Sequence, residues 1–590
     1  MSNIGRVDEE LVVGRGDPAY MAHAYLTKVP VPAIVPFIQA YTAPGDVVLD
    51  PFAGSGMTGV AAAACGRRAR LSDISILGQH IGRNYVNLVD SGQMRKYAGE
   101  VIRSSQEVLG DAYVVPCAAC GRAAQLAKSV WSMLLECAGC GQPVNYYKAF
   151  EAAGWQKAKM RCPHCQAPVA SRQRRVGEEP VLDYINCQCS STQREQAART
   201  DQPKISPEGM PYPRVEITPD RQMYQASALG RNKLTSIAAF YAPRNLAVLA
   251  TLRAKIAEVS DEQVRSKLLF AFTACLTRAS KRYQWSPQRP LNAANANYYV
   301  APVFYEWNVY DLFERKVTAA IRSDEWICQA RREGSLFEPD LDVEYDIASA
   351  DHVSLPDASV DYVFTDPPFG SNLFYADMAL FQEGWLGQFT DVEQEAVIDR
   401  SRSGSRKSDR YEKLLTDALI ECRRVLKPNG KVSMVFGNSS GKVWALVQRA
   451  ITAAGMRIEP DALVVLNKGQ RSVKGLASGF EDVATLDLII TMTSADPASA
   501  PEPGVHIGAQ EIAAATRRLA AANPATTPSH LYLELLRYGI REGWHLGELD
   551  LRAVTSTLIE DGWDIEPKTG ELSRTTSLGS AVQSGHDLRP

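Results

Sequence analysis

The chain has 590 residues, 45% of them apolar and 22% charged, and a formal net charge of −3 at pH 7. This length exceeds one compact core and predicts about two to four domains, and the charge argues against a uniformly basic coat on nucleic acid while leaving local basic strips open. The opening MSNIGRVDEE lacks the basic start and apolar stretch of a secretory signal, and no run reaches the roughly eighteen apolar residues of a membrane helix, so a cytoplasmic protein with no membrane partner is expected.

An apolar, proline-rich opening, HAYLTKVPVPAIVPFIQAYTAPGD, leads into VVLD, which reads as a buried parallel strand ending at Asp50. PFAGSGMTGVAAAACGRRA follows, its glycines giving way to an alanine-rich helix, and ARLSD reads as a second strand ending at Asp73. Glycines at 54 and 56 remove the side chains that would keep a cofactor's charged amino-acid end away from the backbone. Asp50 stands at the strand end where open α/β sheets bind ligands. The spacing is neither the dinucleotide fingerprint nor a phosphate-binding loop with its lysine. Asp73, at a strand tip, suits the two hydroxyls of a ribose; its alternative is a solvated cap on the next helix.

Eight of the 12 cysteines form four close pairs, which in a reducing compartment read as metal ligands. Cys117 and Cys120 are followed, after sixteen intervening residues, by Cys137 and Cys140, the spacing of a four-cysteine zinc ribbon. Cys162 and Cys165 are followed by Cys187 and Cys189 as a second set. Spacing leaves open whether the pairs bind in sequence or interleave. Four thiolates favour one or two structural Zn²⁺ ions, whose closed shells leave no position for catalysis. His164, inside CPHC, is surplus to such sets, and Cys65, Cys275, Cys328 and Cys422 are expected to be buried or inert.

Helical periodicity returns in LAVLATLRAKIAEV and VRSKLLFAFTACLTRASKRY. The α/β pattern then resumes: VDYVFTDPPFG is a strand entering a turn, YEKLLTDALIECRRVLKPNG an amphipathic helix, and KVSMVFGN a strand, with DALVVLN and VATLDLIITMT completing the sheet. SADPASAPEPG is a linker by composition, helical segments occupy 509–567, and the last twenty or so residues read as disordered.

In the turn Asp366-Pro367-Pro368-Phe369 the prolines stiffen the backbone and donate nothing, so the turn offers carbonyls and one carboxylate as acceptors. An exocyclic base amine needs that pair: its nitrogen is a poor nucleophile until its hydrogens are accepted, here by Asp366 and the Pro367 carbonyl. Phe369 is then placed to stack on a flipped base. RASKRYQWSPQR, from Arg278 to Arg289, and the strip holding Arg400, Arg402, Arg406, Lys407, Arg410 and Lys413 suit phosphate contacts, or else are solvated faces. Asn292, Asn295 and Asn297, beside Tyr298 and Tyr299, read as base-edge contacts or as a plain connecting loop.

HAYLTKVP, DPFAGSGMTG, the cysteine pairs, FYAPRNLAVLATL, TDPPFGSN and RVLKPNGKV together span roughly residues 20–495. With them the chain resembles the amino-group DNA methyltransferases, and closely resembles adenine-specific DNA methylases that contain a zinc-ribbon insertion. The resemblance implies S-adenosyl-L-methionine as cofactor, with Asp50, Pro51, Phe52, Gly54 and Gly56 as its loop and Asp73 on its ribose. Thr27 and Lys28 match the segment near its methionine end, and either Ser349 or Asp351 matches the position near its adenine. Asp366, Pro367, Pro368 and Phe369 match the catalytic turn. The implied activity is methylation of the N6 amine of adenine in double-stranded DNA by base flipping, in restriction-modification or phage defence with the subunits of such a system as partners. N4-cytosine methylation, methylation of an RNA base amine, and a non-enzymatic zinc-ribbon binder are the alternatives.

The fold expected is α/β: a doubly wound Rossmann-like methyltransferase sheet with a zinc-ribbon plus helical insertion and a small, mainly helical C-terminal domain. Residues 1–105 form the N-terminal part with the cofactor loop, 106–205 the cysteine insertion, and 206–340 a helical target-recognition region. Residues 341–495 form the catalytic part, and 505–590 the C-terminal domain and tail.

Overall fold

Two apolar runs far apart in sequence, Val47–Asp50 and Val360–Thr365, lie side by side as parallel strands at the centre of an eight-stranded sheet. The computed structural model describes residues 7–14, 16–199, 205–287, 298–334, 341–370, 374–398, 408–469, 486–495, 504–524, 526–566 and 570–574. Across the sheet the order is Glu10–Val12, Met456–Asn467, Asp487–Ser494, Leu426–Phe436, Val360–Thr365, Val47–Asp50, Arg68–Asp73 and Val343–Ile347. Neighbours are parallel except where Asp487–Ser494 runs against both of its partners.

The central strands carry apolar residues at nearly every position because both faces of the sheet are covered. Leu49, Val363, Met434, Val465 and Ile490 belong to one core cluster; their chain neighbours Val48, Phe364, Val435, Leu466 and Ile489 belong to another. That alternation with period two is what a sheet sandwiched between two helical layers requires. The edge strand Val343–Ile347 went unread in the sequence, since of its five residues only Tyr345 is buried. It is fastened by the Arg70 guanidinium, which donates to both carboxylate oxygens of Asp342 at 2.8 and 3.1 Å.

The cysteine segment builds a second sheet on a long antiparallel ladder, Ala123–Glu136 against Arg175–Asn186. On its other side Ala123–Glu136 pairs with Val303–Trp307, so the segments 106–205 and 206–340 share one sheet and one core cluster. The C-terminal helices Ala509–Ala522, Pro528–Arg541 and Leu551–Glu560 place Ile512, Leu535 and Leu558 in the cluster that holds Trp444 and Phe436 of the main fold. Among the described residues no helix is long and apolar enough to cross a membrane.

Candidate functional site

The turn after Val47–Asp50 and the turn after Val360–Thr365 open into one cleft, whose empty space, mouth included, is about 1010 Å³. Thr365 Oγ1 donates to Asp50 Oδ1 at 2.9 Å across 315 residues of sequence, so the strand that leads to the proline turn is bonded to the base of the glycine turn. Thr27, Lys28, Asp50, Pro51, Phe52, Gly54, Asp73, Ser349, Asp351, Asp366 and Pro368 all line the cleft. Gly56, Pro367 and Phe369 do not.

On the glycine side the acceptors are taken by protein donors. Asp50 is buried and accepts from Thr58 Oγ1 at 2.6 Å, Thr365 Oγ1 at 2.9 Å and the Phe52 N–H at 3.1 Å. Burial pushes its carboxyl up to about 7 against the pull of those bonds. Asp73 accepts the Gly54 N–H at 2.8 Å and the Ser75 N–H at 2.9 Å, and burial raises its carboxyl too. It therefore holds the glycine turn and the start of the helix Ile76–Val86 while facing the cleft.

Gly56 serves packing rather than access. Its φ of 78° lies in the left-handed region, and a Cβ there would stand 2.7 Å from the Gly82 Cα. The expectation that it clears room for a cofactor is corrected by this contact with a neighbouring helix. Gly54, at φ 48°, does face the cleft, and its carbonyl accepts the Tyr345 hydroxyl at 2.6 Å.

Thr27 sits at φ 49°, a conformation that costs a β-branched residue energy, and its Oγ1 is 2.8 Å from the Tyr375 hydroxyl. The buried Lys28 ammonium donates to the His23 carbonyl at 2.7 Å and to the Tyr20 carbonyl, and burial drops it to about 7. Ser349 and Asp351 both line the cleft, so the choice between them stays open. Tyr25, Ser75, Tyr375, Thr390 and Glu395 also line it and were not singled out in the sequence; Tyr25 lay inside HAYLTKVP, but the others carried no local signal.

On the proline side the turn is held by its last two carbonyls. Tyr411 donates to the Pro368 carbonyl at 2.6 Å and Asn438 Nδ2 to the Phe369 carbonyl at 2.8 Å. Among the described residues nothing donates to the Asp366 carboxylate or to the Pro367 carbonyl. Burial, with Asp487 and Asp50 nearby, pushes the Asp366 carboxyl up to about 8, while Lys468 pulls it down. The Phe369 ring is half-buried, with its centroid 5.2 Å from that of Phe436.

The cysteines form two nested quartets: Cys117, Cys120, Cys187 and Cys189 at one end of the long ladder, and Cys137, Cys140, Cys162 and Cys165 at the other. The first and second pairs, whose spacing matched a ribbon, therefore lie in different quartets. Sulfur–sulfur distances of 3.7, 3.6, 3.6 and 3.8 Å match the edge of about 3.8 Å that zinc–sulfur bonds of about 2.3 Å give a tetrahedron. Three of the pairs share one turn, closed by bonds such as Gly121 N–H to Cys117 carbonyl and Gly141 N–H to Cys137 carbonyl. Both quartets could hold a metal ion, and exposed His164 belongs to neither.

The basic strip 278–289 is corrected in its described part. Lys281 is buried and paired with Glu178 at 2.6 Å, Arg282 is buried over the Tyr298 and Phe381 rings, and Arg278 lies over Tyr283 and Trp307. These cations brace the interior instead of facing phosphates. Arg289, Asn292, Asn295, Asn297, Arg400, Arg402, Arg406 and Lys407 lie outside the described residues. Arg410 bonds the Glu393 carbonyl, and Lys413 pairs with Asp417 at 2.5 Å.

Comparison with known proteins bears on the glycine side. No curated protein matches the chain. A solved chain from a complex containing the Haloferax volcanii Trm112 methyltransferase activator is 14% identical, covering 29% of this chain and 68% of that one, with a TM-score of 0.16. Residues 10–91, from the first edge strand through the glycine turn and Asp73, match the family model described as DNA methylase.

Proposed function

We propose that the protein transfers a methyl group from S-adenosyl-L-methionine to the exocyclic N6 amine of adenine in double-stranded DNA. The DNA methylase match over residues 10–91 supports an amino-methyltransferase, and the cleft gives that cofactor a coherent place. Asp73 at a strand tip suits the ribose, Ser349 or Asp351 the adenine, and the Gly54 backbone with Thr27 the methionine end. Bound there, the cofactor supplies an electrophilic methyl group on a sulfonium.

The observation that carries the reading is the pair of acceptors that receive no donor among the described residues, the Asp366 carboxylate in the cleft wall and the Pro367 carbonyl beside it, on a turn whose last two carbonyls are occupied. An amine donating both hydrogens to that pair turns its nitrogen lone pair toward the methyl carbon. That nitrogen would take the methyl group that the bound cofactor would supply, the bonding pair remaining on the departing sulfur, and would then pass one proton to Asp366 or to water. Positioning and charge stabilisation provide the acceleration, with no covalent enzyme intermediate. Base flipping, with Phe369 against the extruded base, brings the amine to the turn. Zn²⁺ in the cysteine quartets would clasp both ends of the insert ladder, and a place in restriction-modification or phage defence is the cellular role this reading carries.

Tritiated-methyl transfer to duplex DNA and to RNA, followed by nucleoside analysis, tests the proposal. N6-methyladenine in DNA is expected; N4-methylcytosine, label in RNA alone, or equal labelling by wild type and Asp366→Ala would overturn it.

A further inference from the structure

The C-terminal helices contribute no lining residue to the cleft, yet the backbone beside them reaches a loop that touches the proline turn. Asn438 follows the strand Leu426–Phe436 and is 8% exposed. Both ends of its side-chain amide and its carbonyl are engaged: Nδ2 donates to the Phe369 carbonyl at 2.8 Å, Oδ1 accepts the Ser440 N–H at 2.9 Å, and its carbonyl accepts Trp444 Nε1 at 2.9 Å. An asparagine held at both ends of its amide can transmit its loop's position to the turn.

The loop in turn is held by the C-terminal segment. Asp550 Oδ1 accepts the Gly441 N–H at 3.0 Å, and the Leu551 N–H donates to the Ser439 carbonyl at 3.0 Å. Gln448 spans the same junction, donating to the Trp544 carbonyl at 2.9 Å and accepting the Leu546 N–H at 3.0 Å. The approach is so close that a Cβ on Gly441 would stand 2.5 Å from the Leu546 carbonyl oxygen and 2.7 Å from the Leu549 nitrogen. Backbone therefore meets backbone, with no flexible side chain to absorb a shift.

We infer that Asn438 is a positioning residue for the Asp366–Phe369 turn, and that the C-terminal helices set its position through Asp550 and the 546–551 backbone. The inference rests on the methyltransferase reading of the turn. It assigns the C-terminal region a part in catalysis although it lines no portion of the cleft. Phe369, Phe436 and Trp444 run parallel to this hydrogen-bonded path, with ring centroids 5.2 and 5.1 Å apart in sequence.

The test uses the full chain. Asn438→Asp keeps the acceptor for Ser440 but replaces the donor to Phe369 with a second acceptor. It should lower kcat about 10- to 100-fold while cofactor affinity and DNA KM stay within about two-fold. Asp550→Ala should lower kcat less, Asp550→Asn should restore it, and Asp550→Ala should add little in the Asn438→Asp background. A fall in Tm and cofactor affinity with kcat per folded molecule unchanged would reduce both residues to fold stabilisers and overturn the inference. So would fully additive effects. If Asn438→Asp does not fold, the Asp550 pair decides alone. Wild type without transferase activity sinks the proposed function instead, whereas an active wild type matched by active variants sinks only this inference.

Discussion

On the glycine wall of the cleft Asp50 and Asp73 each accept at least two hydrogen bonds from the protein, and those bonds tie three strands and two helices together. On the proline wall Asp366 accepts none among the described residues, although it too is held above the usual carboxylate range by burial. Carboxyls that are both held above the ordinary range therefore meet opposite treatment. A carboxylate that is satisfied by the protein becomes part of the scaffold; one that faces the cleft with no donor among the described residues is left to accept a hydrogen from a ligand. In the proposed function the first wall would receive the cofactor and the second the amine that donates to it.

The largest effect should come from Asp366→Ala. Methyl transfer falls by about 1000-fold or more, while Tm changes little because no described residue donates to the carboxylate that is removed. Activity assays and thermal melts check both halves, and a drop in Tm comparable to that of an Asp50 variant would erase the contrast. Asp50→Ala is the mirror case: it leaves the Thr58 and Thr365 hydroxyls without their acceptor and should cost about 2–4 kcal/mol in urea melts, with cofactor affinity falling as the turn loosens.

The pH profile sharpens the comparison. The acceptor form of Asp366 is the carboxylate, so kcat/KM should fall about tenfold per unit as pH drops below about 8, the value to which burial pushes this carboxyl. Stability runs the other way. With the folded value raised from the ordinary 3.8, the contribution is full below about 4 and is lost progressively as pH rises to about 8. A sulfonium bound beside the turn pulls the group down, so the kcat profile at saturating cofactor should lie at lower pH than that of kcat/KM. Coincident profiles would separate Asp366 from the reaction. The smallest effect on the cleft should follow Cys140→Ser. Loss of one thiolate from a quartet should release metal and loosen the ladder, by metal content and thermal melt, yet leave cofactor affinity within about two-fold.

Local pattern made much of this legible. VVLD, ARLSD and VDYVFT read as strands because burial on both faces demands unbroken apolar runs, and the glycine and double-proline turns announce their backbone geometry directly. The edge strand at Tyr345 was hidden because one solvated flank dilutes its apolar signal. Lys281 and Arg282 looked like phosphate ligands because composition records charge and not the Glu178 or aromatic partners that bury it. Gly56 looked like cofactor space because nothing local names Gly82 as its neighbour.

By itself, then, the amino-acid order determined the two turns, the strands that carry them and the eight thiols, since each depends on residues within a few positions of one another. Folding alone decided which thiol pairs share a quartet, that Asp50 accepts three protein donors while Asp366 accepts none among the described residues, and that the loop of Asn438 is bonded both to the C-terminal segment and to the proline turn. Those facts are distances between segments tens to hundreds of residues apart, and only the pairing of both sheets and the packing of helices on them sets such distances.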